Sequence, residues 1–234
     1  MSQNMEDNTV VVKKTFYSTV IKRCIDCALS GIGLLILSPV FLIVIVLEWF
    51  IHGYPAIYKS KRPGKDKKVF LLYKFRSMTN ERDENGLLLP EEKRLTRFGK
   101  FIRKTSIDEL PQLVNILKGD MAIIGPRPLL IEYNSLYSPR HACRLSVRPG
   151  LVCLTDKNND GPVTWRTQFE SDVNYVQNIT FANDLKMFIA VIGEVFKHAD
   201  YRALDTRIPF DGTNLDDTRS KSELGEAVHF DSLQ

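Results

Sequence analysis

Between Cys27 and Leu47 the chain runs 21 residues without a charge, CALSGIGLLILSPVFLIVIVL. About 20 apolar residues are enough to cross a bilayer as a helix, so this run constrains everything around it. Pro39 sits near its middle. It has no N–H, and its ring crowds the carbonyl four residues back, at Leu35, so a helix through the run kinks or breaks there. The Ser38 hydroxyl is placed to satisfy a backbone group that the break frees. Charge is the second constraint. Lys13, Lys14, Lys22 and Arg23 precede the run, and Lys59, Lys61 and Arg62 follow it. Basic flanks prefer the cytoplasmic side, so a single span leaves one flank on the wrong side. A re-entrant helix that dips in and returns to the same face satisfies both; a buried helix of a soluble core is the third reading. The run starts late and no small-residue cleavage site precedes a polar mature start, so no cleaved signal peptide is expected.

The rest of the 234 residues are numerous enough for one sizeable core. The expected organisation is a polar tail over 1–16, a broken membrane helix over 17–53, a compact domain over 54–201 and a polar, acidic tail over 202–234. Net charge is +4, but Lys59 to Lys104 carries 15 Lys/Arg against 6 Asp/Glu, whereas Ala199 to Gln234 carries 4 against 8. A basic middle suits a nucleotide, a lipid phosphate or an anionic membrane surface. No nucleic-acid-binding motif accompanies the charge, so nucleic acid is not an expected partner. Cys24 and Cys27 form a lone C-x-x-C beside the apolar run and read as small hydrophobes. Nothing points to a disulfide framework.

The fold expected is α+β and mainly helical. Tyr54 to Tyr58 reads as an edge strand or interfacial segment, Arg62-Pro63-Gly64 as a turn, and Val69 to Met78 as a strand. Apolar residues at 107, 110, 113, 114 and 117 predict a helix from Ile107 to Lys118, stopped by Gly119. Leu129 to Tyr137, Pro139 to Leu145, Trp165 to Val176 and Phe181 to His198 also read as helices. The last has an apolar face suited to the core or to a bilayer, with core packing the simpler reading.

Two features carry chemistry. Asp108 and Glu109 follow Arg103 and Lys104 at the start of the 107–118 segment. Ser106 with Glu109 three residues on fits a capping box, and acids suit a first turn. The same carboxylates could bind a divalent cation or attack phosphorus. Pro126 and Pro128 hold Arg127 on a stiff mount, and arginine suits bidentate contact with phosphate; an ordinary turn with a solvated arginine is the plainer reading.

Taken with KRCIDCALSGIGLLILSPVFL, KRPGKDKKVFLLYKFRSM, RFGKFIRKTSIDELPQLVNILKGDMAIIGPRPLL, VRPGL and FESDVNYVQNITFANDLK, these residues resemble the bacterial monotopic phosphoglycosyl transferases. The likeness runs from about Tyr17 to Tyr201 and is strongest to the small, core-only members such as the bacillosamine-phosphate transferases. It implies a re-entrant helix broken at Ser38 and Pro39, with a compact catalytic domain on the cytoplasmic face of the bacterial inner membrane. It implies that Asp108 attacks the β-phosphate of a UDP-sugar, releasing UMP and forming an aspartyl phosphosugar. Polyprenyl phosphate, typically undecaprenyl phosphate, would then take the phosphosugar. Glu109 would orient the site or manage protons, and Mg²⁺ would bridge Asp108 and phosphate. Lys74, Arg103 and Arg127 match positions expected near phosphate. The partners implied are UDP-sugar, polyprenyl phosphate, the lipid bilayer and later glycosyltransferases. One departure stands out. After Pro-Gly-Leu the family usually reads Thr-Gly-Trp-Ala-Gln-Val-Asn-Gly-Arg-Asn; here residues 152–161 read VCLTDKNNDG, placing Asp160 where the family has arginine, with Lys157 a candidate to compensate. That points to another donor, or to a weakly active or non-catalytic member that binds nucleotide-sugar or recruits later enzymes.

Overall fold

The computed structural model describes residue 10 and residues 12–153, 164–196 and 207–219. Asp160 and Lys157 lie outside the described residues, as does most of the 1–16 tail. A wide helical turn, Tyr17–Ile21, leads into α1 (Lys22–Ile36), and α2 (Ser38–Ile51) follows at a bend of 61°. The bend falls where the sequence placed it. Leu37 leaves helical geometry at ψ 0°, Pro39 occupies the first turn of α2, and Ser38 Oγ donates to Leu35 O at 2.7 Å. Among the described residues no single helix is long and apolar enough to cross a membrane, but the bent pair has the length and composition together.

The bent pair is two-faced. Asp26, Ser30, Val44 and Glu48 are buried against the rest of the chain. Leu29, Ile32, Leu42, Ile43 and Trp49 are exposed on the other side, and Leu35 and Phe50 stand 76% and 85% exposed. Polar groups dock the inner face. Arg23 donates from both terminal nitrogens to Ile116 O and Leu117 O, covering carbonyls at the end of a later helix. Asp26 Oδ1 accepts the Ile123 N–H at 3.1 Å, and Lys22 pairs with Asp184 at 2.6 Å.

β1 (Ile57–Pro63) and β2 (Val69–Phe75) form an antiparallel hairpin with Ser60 opposite Leu72. β1 thus extends beyond the expected edge strand and through the expected Arg62-Pro63-Gly64 turn. Pro63 is tolerated at the strand end, and the reversal comes over Gly64 to Lys68, with Asp66 and Lys67 in left-handed geometry. Phe70 and Leu72 pack on Leu113, Ile116 and Met121, with Leu34 and Leu37 from the bend joining them. Burial of each such side chain stabilises by about 1.5–3 kcal/mol.

The short helix α3 (Glu91–Arg94) precedes α4 (Arg97–Lys104). Thr96 caps α4 by accepting the Gly99 N–H at 2.9 Å, and a Cβ on Gly99 would fall 1.9 Å from Ser77 O, so α4 lies directly on the backbone that leaves β2. A 3₁₀ turn, Ile107–Glu109, leads through Pro111 into α5 (Gln112–Lys118), which ends at Gly119 with φ 95°. β3 (Ala122–Ile124) pairs in parallel with β4 (Gly150–Val152). Between them, Ile131–Ser135 and His141–Ser146 are 3₁₀ segments rather than the longer helices expected.

α6 (Trp165–Gln177) begins with a capping box of Thr164 and Thr167. α7 (Phe181–Phe196) departs from the core-packing expectation: Phe181, Leu185 and Ile189 are 54%, 45% and 60% exposed. Asp184, on the opposite side, is buried against Tyr17, Lys22 and Tyr175. The region read as an acidic tail also differs within 207–219. Ile208 and Phe210 are buried, Phe210 sits among Tyr133, Tyr137, Trp165 and Phe169, and Arg207 stacks 3.8 Å from the Trp165 ring centre. The mixture of helices with short strands agrees with the α+β expectation.

Candidate active site

The carboxylates do not begin a capped helix. Ser106 takes left-handed geometry, φ 56° and ψ 16°, and its side chain caps nothing. The capping-box reading therefore fails. The cause is local: α4 ends at Lys104, and only two residues remain to reverse direction before Ile107. A chain of three-residue hydrogen bonds follows, with Glu109 N–H donating to Ser106 O at 3.2 Å and Leu110 N–H to Ile107 O at 3.1 Å. This tight turn puts Asp108 and Glu109 on different sides and in different surroundings.

Glu109 is the carboxylate on which the cations converge. Its Oε1 accepts from Lys74 Nζ at 2.7 Å and lies 3.4 Å from Arg127 Nη2. Lys74 comes from β2 and Arg127 from the Pro-Arg-Pro segment after β3, so three separate elements meet at this oxygen. Burial raises the Glu109 carboxyl, but Lys74 and Arg127 outweigh it and hold its pKa down at about 2.

Asp108 is the opposite case. It is buried, and no hydrogen bond to its carboxylate forms among the described residues. Burial pushes its pKa up to about 6; Lys74, Arg103 and Arg127 pull it down, while Glu109 pushes it further up. Arg103, on α4, contributes field rather than contact: its Nε donates to Ser77 Oγ at 2.8 Å. Lys74, Glu109 and Arg127 are thus brought together directly, Asp108 lies in their field, and Arg103 is held just outside. Ser38 and Pro39 are at the helix break and take no part in this contact set.

Sequence reasoning missed the support behind Arg127. Arg144 Nη2 donates to Arg127 O at 2.8 Å, and Asp172 Oδ2 accepts from Arg144 Nε at 2.9 Å. The available signal was a lone arginine in the apolar stretch His141 to Leu145. Ser77, which holds Arg103, gave no signal of its own.

With this geometry in view, the relatives are informative. The model of a family described as bacterial sugar transferase matches residues 17–198. The chain belongs to the bacterial sugar transferase family. It is 44% identical over 176 residues to the uncharacterized sugar transferase EpsL of Bacillus subtilis, covering 75% of this chain and 87% of that one. It is 36% identical over 188 residues to the undecaprenyl-phosphate galactose phosphotransferase of Salmonella typhimurium, covering 72% of this chain and 39% of the relative. Against the UDP-glucose:undecaprenyl-phosphate glucose-1-phosphate transferase of Klebsiella pneumoniae it is 31% identical over 187 residues, covering 76% and 40%. The chain therefore spans most of the Bacillus protein and about two fifths of the other two. Family membership bears out the resemblance to bacterial phosphoglycosyl transferases, and the protein is a transferase.

Proposed function

We propose that the chain transfers a sugar 1-phosphate from a UDP-sugar to undecaprenyl phosphate, releasing UMP, as the first membrane step of glycan or polysaccharide assembly. The observation that carries this reading is the contrast at the carboxylate pair: Asp108 lacks a hydrogen-bond partner among the described residues, yet it lies in the field of three cations. An ionised, partly desolvated carboxylate with no committed partner is suited to act as a nucleophile.

In the first step an Asp108 oxygen attacks the β-phosphorus of the donor. The bond from that phosphorus to the bridging oxygen breaks, and UMP leaves with the electron pair. In the second step an oxygen of undecaprenyl phosphate attacks the same phosphorus, the acyl-phosphate bond breaks, and the Asp108 carboxylate returns. The product, a polyprenyl-diphosphate sugar, is what later glycosyltransferases would extend. Lys74 and Arg127 oppose the charge on the transferring phosphoryl group; such preorganised cations provide much of the catalysis in phosphoryl transfer. Glu109, with its pKa near 2, stays ionised and holds those two cations in place rather than moving protons.

A resident metal site built from three or more His, Cys, Asp or Glu is absent among the described residues. One uncommitted carboxylate does fit Mg²⁺, which is usually held by one or two carboxylates together with substrate phosphates. Asp108 would hold it, and bound there it would neutralise charge on the donor diphosphate.

The exposed apolar faces of α1, α2 and α7 support a seat in the bilayer, with the bent pair re-entrant and the catalytic residues on the cytoplasmic face. There a soluble nucleotide sugar and a lipid phosphate can both reach Asp108. The test is UMP release by the purified full chain in nanodiscs with Mg²⁺, undecaprenyl phosphate and a panel of UDP-sugars. At least one donor is expected to release UMP in an acceptor-dependent manner; no release with any donor would contradict the reading.

A further inference from the structure

Arg127 is gripped from behind as well as in front. Arg144 is 3% exposed, and each of its three guanidinium nitrogens donates: Nε to Asp172 Oδ2 at 2.9 Å, Nη1 to the Tyr137 hydroxyl at 2.7 Å, and Nη2 to Arg127 O at 2.8 Å. The rings of Tyr137 and Phe169 flank it, with centroids 5.2 and 5.4 Å from its central carbon. Asp172 is 2% exposed and also faces Cys153, whose Sγ is 3.8 Å from Oδ1.

Two charges buried this deeply do not add stability by default. Their desolvation costs several kcal/mol each, and an apolar substitute often serves as well. What a guanidinium bonded through all three nitrogens supplies is geometry, because its planar fork fixes three partners relative to one another. One of those partners here is the peptide oxygen of the arginine that meets Glu109. Pro126 and Pro128 restrict the backbone on either side of Arg127, and the Arg144 bond fixes the direction of the Arg127 carbonyl. With the mount fixed, the Arg127 side chain has one root from which to reach Glu109 and the space before Asp108.

We propose that Arg144, set by Asp172 and Tyr137, is a positioning residue for Arg127 and thereby governs recognition of the donor diphosphate. This rests on the reading of Arg127 as a donor-phosphate contact. Cys153 touches the same device, its thiol facing the carboxylate that orients Arg144.

The test is a double-mutant cycle on the full chain in nanodiscs, reading kcat/KM for the UDP-sugar and KM for undecaprenyl phosphate. Arg127→Ala is expected to lower donor kcat/KM about 100-fold, and Arg144→Lys about 10-fold with the acceptor KM unchanged. The double variant should match Arg127→Ala within about twofold, because Arg144 acts through Arg127. Losses that multiply in the double variant, or an equal rise in acceptor KM, overturn the positioning role while leaving the Arg127 reading intact. Wild-type kinetics in Arg127→Ala overturn that reading and the proposal with it. Should Arg144→Lys not fold, Tyr137→Phe removes only the hydroxyl that Nη1 uses. Its expected loss is about threefold with Arg127 present and nil in the Arg127→Ala background; equal losses in both backgrounds overturn the proposal.

Discussion

Two carboxylate–arginine clusters lie within one fold, and they are built to opposite rules. Around Arg144 and Asp172 the groups are buried and mutually satisfied, down to the Tyr137 hydroxyl and the Arg127 carbonyl. Around Asp108 and Glu109 the cations converge on one carboxylate and leave the other without a hydrogen bond among the described residues. In the first cluster each charged group is already paired within the protein. The second keeps one carboxylate in reserve beside Lys74 and Arg127. Satisfied charge fixes geometry, whereas unsatisfied charge in a positive field is available for chemistry.

The largest expected effect separates the clusters by readout. Asp108→Asn should reduce UMP release at least about 1,000-fold without lowering the unfolding midpoint. The sign follows from its raised pKa. The folded chain holds the Asp108 proton more tightly than the unfolded chain does, so this group favours folding most at low pH. That contribution falls away as pH rises from about 4 through about 6. At pH 7.5 the ionised carboxylate costs on the order of 2–3 kcal/mol, which asparagine removes. A large fall in midpoint alongside the rate would make Asp108 structural. Asp172→Asn should act chiefly on stability at the other cluster, with only the modest loss in donor kcat/KM that follows from loosening Arg144. It leaves a buried Arg144 uncompensated and should cost roughly 3–5 kcal/mol in chemical denaturation; an unchanged midpoint would remove the distinction between the clusters. The smallest effect is on pH dependence. The kcat/KM for donor should fall below about pH 6 as Asp108 takes up a proton, with no limb from Glu109 in the working range, because its pKa lies near 2. A profile flat down to pH 5 would count against Asp108.

Much of the fold could be read from the residues alone. Pro39 has one steric consequence, and the helix breaks beside it. The alternating buried residues of β2 and the glycine stop after Lys118 also follow from local rules. Ser106 misled because a capping box is a pattern of residue types, while its left-handed backbone is imposed by α4 ending two residues earlier. The 207–219 segment misled in another way: the acidic excess of the longer stretch from Ala199 to Gln234 outweighed the short apolar anchor at Ile208 and Phe210. Of the site, the resemblance named Lys74, Arg103, Asp108, Glu109 and Arg127. It did not show that Glu109 takes both Lys74 and Arg127, nor that Arg144 stands behind Arg127. Those contacts join residues 17 to 35 positions apart and depend on how β2, the 3₁₀ turn and the two parallel strands pack.

A nucleophilic Asp108 becomes covalently modified during turnover. Incubating the full chain with its UDP-sugar and Mg²⁺, without lipid acceptor, and recording the intact mass tests this directly. The expected result is a mass gain equal to one sugar phosphate, mapped to Asp108, lost on adding undecaprenyl phosphate and absent from Asp108→Asn. Turnover with no adduct under these conditions, or an adduct that persists in Asp108→Asn, would contradict it.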